Sequence, residues 1–342
     1  MKNKLFDFVI GNPPYQEDVE NKGDRPNPIY NRFMDEAYMV GNVVELIHPA
    51  RFLFNAGQTP KDWNEKMLND EHFKVLHYEA DAEKIFPDAE IKGGVAVTIR
   101  DESKRFGAIR TFTPYEELNH IIQKIANSKG FIGLDSIVAP RGNYRTTGKF
   151  FSEHPYAMER LGKGSGNMLV SNFFEKIPEA ISKVGDDCLS ILGRKNNTRT
   201  IFNVKREYIQ HNDFLTTYNI ASPEANGSGK FGEKLTTGEI LLPGQGATDT
   251  FVSIGKFSTQ EEARNLQTYM KTKFFRAMLG VKKVTQHCPP SVWAMIPIQD
   301  FTSNSDIDWS QSIYDIDQQL YRKYGLSDDE IEFIETHVKE MN

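Results

Sequence analysis

The chain has 342 residues, 39% hydrophobic and 26% charged, with a net charge of −6 and two cysteines, Cys188 and Cys288. That is enough for two domains with proper cores and an ordinary globular composition. It excludes a disulfide framework, a Cys-rich zinc site and a long apolar membrane span, and it fits a reducing cytoplasm.

Met1 to Ile10 contains acidic Asp7 and only a short apolar run, so it does not read as a signal peptide. Leu5 to Ile10 is apolar and rich in β-formers, which predicts a buried strand of the parallel kind, stopped by Gly11. Pro13 and Pro14 donate no backbone hydrogen bond, and Asn12 and Pro13, each followed by proline, are driven to extended geometry. A stiff loop at the carboxyl end of a strand results, which is where open α/β sheets bind ligands. Such a loop can hold the Asn12 amide and the Pro13 carbonyl at one point, with the Tyr15 ring beside them. Two acceptors and a ring suit a planar group bearing an NH2. The bland alternative is a strand followed by a proline-rich turn.

Residues 28–40 place Ile29, Phe33, Ala37 and Met34 or Val40 on one side of a helix, with Pro28 at its start. Val43 to Ile47 predicts another buried strand, and residues 59–69, opening with Thr-Pro, a helix. FKVLHYEAD and GGVAVTIRDE predict two more strands. That order is the second half of a doubly wound α/β sheet. Residues 1–110 form this unit and 111–130 a connector with a helix from Pro114 to Ile125.

From 131 to 310 the texture is that of a mixed α+β domain, with short β-type runs SIVAP, NMLVSNFF, LSILG, TIFNV, GEILLPG and TFVSIG. Helices are expected near 173–183 and 259–280. Residues 311–342 end in helices, with Ser327 as an N-cap. The charge is uneven: residues 1–130 carry a net −4, residues 131–290 a net +6 and residues 291–342 a net −8. A basic middle section is what a phosphate-tracking surface needs, although a fluctuation of this size is also ordinary.

Asn12-Pro13-Pro14-Tyr15, preceded by FDFVIG and followed by Gln16, resembles the NPPY motif of DNA adenine-N6 methyltransferases from restriction-modification systems. The Taq-type methylases and the related methylase-endonuclease fusions are the nearest match. KFFRAMLGVKK, WAMIPIQDF and the closing IDQQLYRKYGLSDDEIEFIE are similar to phrases near the end of such proteins, more loosely than NPPY. The resemblance implies a methyltransferase sheet with an antiparallel edge, then a target-recognition domain. It also implies S-adenosyl-L-methionine as cofactor, double-stranded DNA as substrate and a target adenine flipped from the duplex. Asn12, Pro13, Pro14 and Tyr15 are then the catalytic residues, and Phe86 a second ring on the base; its other reading is a core phenylalanine before a turn.

The family's cofactor site lies mostly before NPPY, and nothing of that kind fits before Leu5. GKGSGN, Gly162 to Asn167, follows no clear strand and is read as a loop; GSGKFG, Gly227 to Gly232, fails the P-loop pattern. The expectation is a chain lacking most of the cofactor site, with a segment or partner chain carrying that half. PDAEIK, Pro87 to Lys92, is rejected as a nuclease site because Asp88 and Glu90 are too close, and His48, His77, His120 and His287 have no metal-ligand spacing.

In the basic section, Arg141, Tyr144, Arg145 and Lys149, and then Arg194, Lys195, Asn197 and Arg199, are candidate contacts to phosphates or bases. GVKKVTQ is a weaker third candidate. Three readings stay open: an adenine-N6 methyltransferase part, a DNA-specificity fragment or subunit without catalysis, and an NPPY enzyme acting on protein glutamine or RNA.

Overall fold

The computed structural model describes residues 4–17, 26–55, 57–87, 91, 93–162, 164–185 and 187–341. The protein is mixed α/β and divides into two compact units, Met1–Gln123 and Lys124–Asn342. No helix among the described residues is long and apolar enough to cross a membrane.

The first unit runs β1 (Phe6–Gly11), α1 (Tyr30–Val40), β2 (Gly41–Pro49), α2 (Lys61–Leu68), β3 (Phe73–Glu79) and β4 (Val95–Asp101), followed by α3 (Glu116–Ala126). The strands form one sheet in the order β1-β2-β4-β3. β1 pairs with β2 in parallel, through α1 as the crossover such a pair needs, and β4 is antiparallel to both β2 and β3. β1, β2 and β3 therefore point one way, with β4 inverted between β2 and β3.

One face of this sheet is packed. Val44, Leu46 and His48 of β2 are buried on it, among Met34, Phe52 and Trp63. The expected helix at 28–40 is present, but its buried stripe is Tyr30, Met34 and Tyr38, while Phe33 is 45% exposed. Both stripes are apolar at helical spacing. The larger aromatic one wins because Tyr30 finds ring partners in Phe52, Trp63 and the flat stack of His48.

The other face differs from expectation at β1. Its pairing is parallel, as its composition predicts, but the strand is not buried. Phe6, Phe8 and Ile10 stand on one side of it at 55%, 71% and 78% exposure, while Val9 turns toward the core. β1 is also an edge strand.

The second unit contains α4 (Gly148–Glu153), α5 (Ala157–Leu161), α6 (Phe173–Lys176), β5 (Cys188–Lys195), β6 (Thr198–Lys205), β7 (Tyr218–Pro223), β8 (Glu239–Leu241), β9 (Gln245–Ala247) and β10 (Phe251–Phe257). It closes with α7 (Gln260–Tyr269), α8 (Lys273–Gly280), α9 (Ile313–Tyr324) and α10 (Asp328–His337). The strands make two sheets, β10-β7-β8 and β6-β5-β9. Three expectations are corrected here. SIVAP begins in a 3-10 turn, Leu134–Ile137, and NMLVSNFF forms no strand but leads into the short α6. The single helix expected at 259–280 is two, because Thr272 caps a new helix by accepting the Phe275 N–H.

Ser327 caps α10 in a reciprocal capping box with Glu330. Asp317 on α9 accepts the backbone N–H groups of Lys273 and Phe274 at 2.9 Å each, which ties α9 to the start of α8. Gly227 to Gly232 wraps a carboxylate: Glu233 accepts from the N–H groups of Ser228 (2.7 Å) and Gly229 (2.8 Å) and from buried Lys283 Nζ at 3.0 Å. Gly229 has φ +95°, which lets the backbone turn its N–H inward. Burial alone would raise the Glu233 pKa, but these donors and the Ser228 hydroxyl at 2.9 Å outweigh that cost and hold the carboxyl down to about 2.

Candidate functional site

β1 delivers the chain to Asn12 and the prolines end it there. Asn12 is exposed, and Pro13 and Tyr15 are half-buried. The loop is closed from behind. Ile29 N–H donates to the Tyr15 carbonyl at 3.2 Å, and Glu17 N–H donates to the Asn27 carbonyl at 2.9 Å. Gln16 and Pro28 form a β-bridge. So Asn12 to Tyr15 is held at one end by β1 and at the other by the start of α1.

Tyr15 and Phe86 meet edge to face, with ring centroids 6.3 Å apart at 71°. Phe86 is half-buried after the 3-10 turn that follows β3. The Tyr15 hydroxyl is enclosed and, among the described residues, meets no partner in hydrogen-bond geometry. Burial pushes its pKa up, and the nearby Asn12 side chain draws it partly back. A buried hydroxyl beside an exposed amide and two rings is suited to a flat polar group entering from outside. Sequence reasoning supplied the residues but not this orphan hydroxyl, which has no signature in a motif.

Behind the loop, His48 is fully buried. Its Nδ1 lies 3.1 Å from the Pro49 carbonyl and its Nε2 2.8 Å from the Thr98 hydroxyl. The carbonyl can only accept, so Nδ1 carries the proton and Nε2 accepts. Burial lowers the His48 pKa to about 4, which keeps the ring neutral.

The basic candidates separate by partner. Tyr144 is 4% exposed in the core, with its hydroxyl 2.9 Å from Ser253 Oγ. That corrects its reading as a surface contact, since a side chain so enclosed offers nothing to a duplex. Arg141 is 76% exposed and braced at 3.1 Å by the buried carboxylate of Asp249. Arg145 donates to the Gly142 carbonyl and to Asn167 Oδ1, both at 3.1 Å. Lys149 is ion-paired to Glu207 and Arg199 to Glu239. Arg194, Lys195 and Asn197 sit exposed at the β5–β6 turn, where Arg194 Nη2 donates to Asn197 Oδ1 at 2.8 Å.

Neither glycine-rich segment forms, among the described residues, the strand-to-helix turn that would cradle S-adenosyl-L-methionine. Gly162 to Asn167 follows the helix α5 rather than a strand, and Lys163 within it lies outside the described residues. Asp88, Glu90 and Lys92 of PDAEIK also lie outside them. Among the described residues, no three of His, Cys, Asp and Glu come together to hold a metal.

Residues 1–86 match the family described as Eco57I restriction-modification methylase. A stretch of 97 residues is 29% identical to an uncharacterized adenine-specific methylase of Mycoplasma pneumoniae (strain ATCC 29342 / M129 / Subtype 1). That stretch is 28% of this chain and spans 23% of the length of that relative. Among solved structures, the type IIG restriction endonuclease BpuSI aligns over 97% of this chain and 53% of its own, at 11% identity and a TM-score of 0.33. A score that low does not establish a shared fold. The NPPY resemblance and the family match agree that residues 1–86 are similar to a restriction-modification methylase.

Proposed function

We propose that this chain is the target-holding and DNA-reading part of a site-specific DNA adenine-N6 methyltransferase of a restriction-modification system. Its first unit is then the second half of a doubly wound methyltransferase sheet, and residues 131–310 its target-recognition domain. The observation that carries the reading is Asn12-Pro13-Pro14-Tyr15 at the carboxyl end of β1, in a family-matched segment, with Phe86 brought against the Tyr15 ring.

An adenine N6 amine is a poor nucleophile because its lone pair is delocalised into the ring. Accepting both of its N–H groups, on the Asn12 side-chain oxygen and the Pro13 carbonyl, favours a pyramidal nitrogen with a localised lone pair. Methyl transfer is an in-line displacement, so holding the amine still supplies much of the rate. No strong base is needed, since the proton becomes acidic once the nitrogen is alkylated. The amine is out of reach inside a duplex, so the base is flipped out and stacks on Tyr15 or Phe86. Double-stranded DNA is the substrate. The methyl donor, S-adenosyl-L-methionine, is held mainly by a segment or chain that supplies the cofactor half.

In the enzyme completed with that half, Asn12→Ala abolishes N6-methyladenine in duplex DNA, read by mass spectrometry of the digested product, while DNA binding survives. Unchanged methylation ends this reading. The lack of such a cradle for the methyl donor among the described residues favours a second reading, a DNA-specificity fragment or subunit. That fragment binds DNA in a salt-sensitive way and leaves the completed assembly's methylation indifferent to Asn12.

A further inference from the structure

β9 pairs with β5 only at Ser190, Ile191 and Leu192. Beyond Leu192, β5 and β6 continue as a two-stranded ribbon, pairing Gly193 with Thr200, Arg194 with Arg199 and Lys195 with Thr198. Asn196 and Asn197 close it with φ of 50° and 61°, the left-handed pair that a tight hairpin turn requires. Residues 194 to 199 are all exposed. Three residues at a rise of ~3.4 Å give a reach of roughly 10 Å. The DNA major groove is about 8.5 Å deep and about 12 Å wide, and it admits a two-stranded ribbon.

The side chains at the tip have separate tasks. Arg199 lies directly across from Arg194, a pairing of like charges that disfavours the ribbon on its own. It is neutralised by Glu239 at 2.6 Å and lies over the Phe251 ring at 5.7 Å, so it braces the base of the ribbon. Arg194 instead points to the turn and uses the Asn197 side-chain oxygen. That turns the acceptor of Asn197 inward and leaves its NH2 outward. Lys195 makes no ion pair among the described residues. Glu175 tethers the turn by accepting the Asn196 N–H at 3.3 Å, and the outward groups of Arg194, Lys195 and Asn197 are donors.

The Arg194 guanidinium, which donates and cannot accept, discriminates among bases. In the major groove guanine offers two adjacent acceptors, O6 and N7, and no donor. Adenine and cytosine each place an NH2 there, and thymine pairs a single acceptor with a methyl. We propose that the β5–β6 ribbon enters the major groove and reads a guanine in the target sequence through Arg194, with Lys195 on a phosphate. This rests on the DNA-binding reading above and adds to it one base, one groove and one residue. Asn197 is not free to pair with adenine, because the side-chain oxygen that pairing uses is engaged by Arg194.

The test is selection of bound duplexes from a randomised DNA pool by the full chain, followed by titration of the selected duplex at several salt concentrations. The wild-type chain fixes at least one guanine. Arg194→Ala loses that guanine while other fixed positions remain, and binds the selected duplex roughly 10- to 100-fold more weakly. Asn197→Gly keeps a residue that favours the turn but unties Arg194, and it relaxes the guanine preference while the fold holds. Lys195→Ala weakens all duplexes alike and lowers the salt slope by about one.

The proposal is overturned if no guanine is fixed, if the guanine persists in Arg194→Ala, or if duplex RNA of the same sequence binds equally, since its major groove is too narrow for side chains to read. Salt-dependent DNA binding with any of those outcomes removes this inference alone. Absence of duplex DNA binding removes the functional reading as well.

Discussion

The Tyr15 and Phe86 rings meet nearly perpendicular, at 71°, with their centres 6.3 Å apart. Rings at that angle cannot clamp a base between two parallel faces. One stacks on the base and the other presents an edge to it. Phe86→Ala should weaken the hold on an everted adenine by about 1–3 kcal/mol, measured by the fluorescence of a 2-aminopurine placed at the target in the completed enzyme. Tyr15→Phe should cost little or no stability in a denaturant titration, because the buried hydroxyl meets no partner in strict hydrogen-bond geometry among the described residues and only a weak draw from Asn12 is lost. A clear loss would mean that the hydroxyl is bonded in solution.

His48 makes stability depend on pH. Unfolded, its ring takes a proton as pH falls through 6.5; folded, burial holds protonation off until about 4. Between those values the unfolded chain binds more protons, so stability falls as pH falls. It is fully present above about 6.5, and the loss is complete below about 4. The total is on the order of 3 kcal/mol, at about 1.4 kcal/mol for each tenfold difference in proton affinity between the folded and unfolded ring. Burial holds the Asp317 carboxyl up at about 7, which contributes the opposite slope, so the His48 share is read as the difference between wild-type and His48→Gln urea titrations across this window.

Lys283 is 3% exposed at its side chain and faces Glu233, which is 17% exposed. Removing the cation leaves an enclosed carboxylate with two amide N–H groups and the Ser228 hydroxyl as its partners. Lys283→Met should destabilise the protein by about 3 kcal/mol. It should also free residues 226 to 236, so limited proteolysis there should speed up before global unfolding does. Lys283→Arg, which keeps the charge, should be milder.

The turn at Asn196 sets a steric requirement that charge does not. Asn tolerates φ of 50°, and a β-branched residue does not. Asn196→Val should cost ~1–2 kcal/mol in stability. Amide exchange should rise first at residues 193 to 200, leaving the β5–β9 pairing protected.

Much of the first unit was readable from the chain because its signals are local. Two prolines after an apolar run fix where β1 ends, and Thr-Pro fixes where α2 begins. The choice of Tyr30 and Tyr38 over Phe33 was not readable: both stripes have helical spacing, and the choice is made by Trp63 and Phe52, distant in sequence. Tyr144 shows the same limit, because flanking arginines suggest a surface while the ring is claimed by Ser253 and the core. The basic cluster also looked more uniform than it is. Asp249, Glu207 and Glu239 lie 108, 58 and 40 residues from the cations they neutralise, which composition cannot reveal. Asn12 to Tyr15 was legible as a motif, and Phe86 as its companion only through resemblance.

The uncovered side of β1 has a practical cost. Two aromatic rings and an isoleucine, arrayed along an open strand border, make an adhesive strip. Two molecules joined border to border would bury the backbone groups and still leave the rings wet, so association should not stop at a pair. Turbidity should therefore climb with concentration, and Phe8→Ser together with Ile10→Ser should suppress it while leaving the melting temperature nearly unchanged. Any polypeptide that packs on that side of β1 should suppress the turbidity as well.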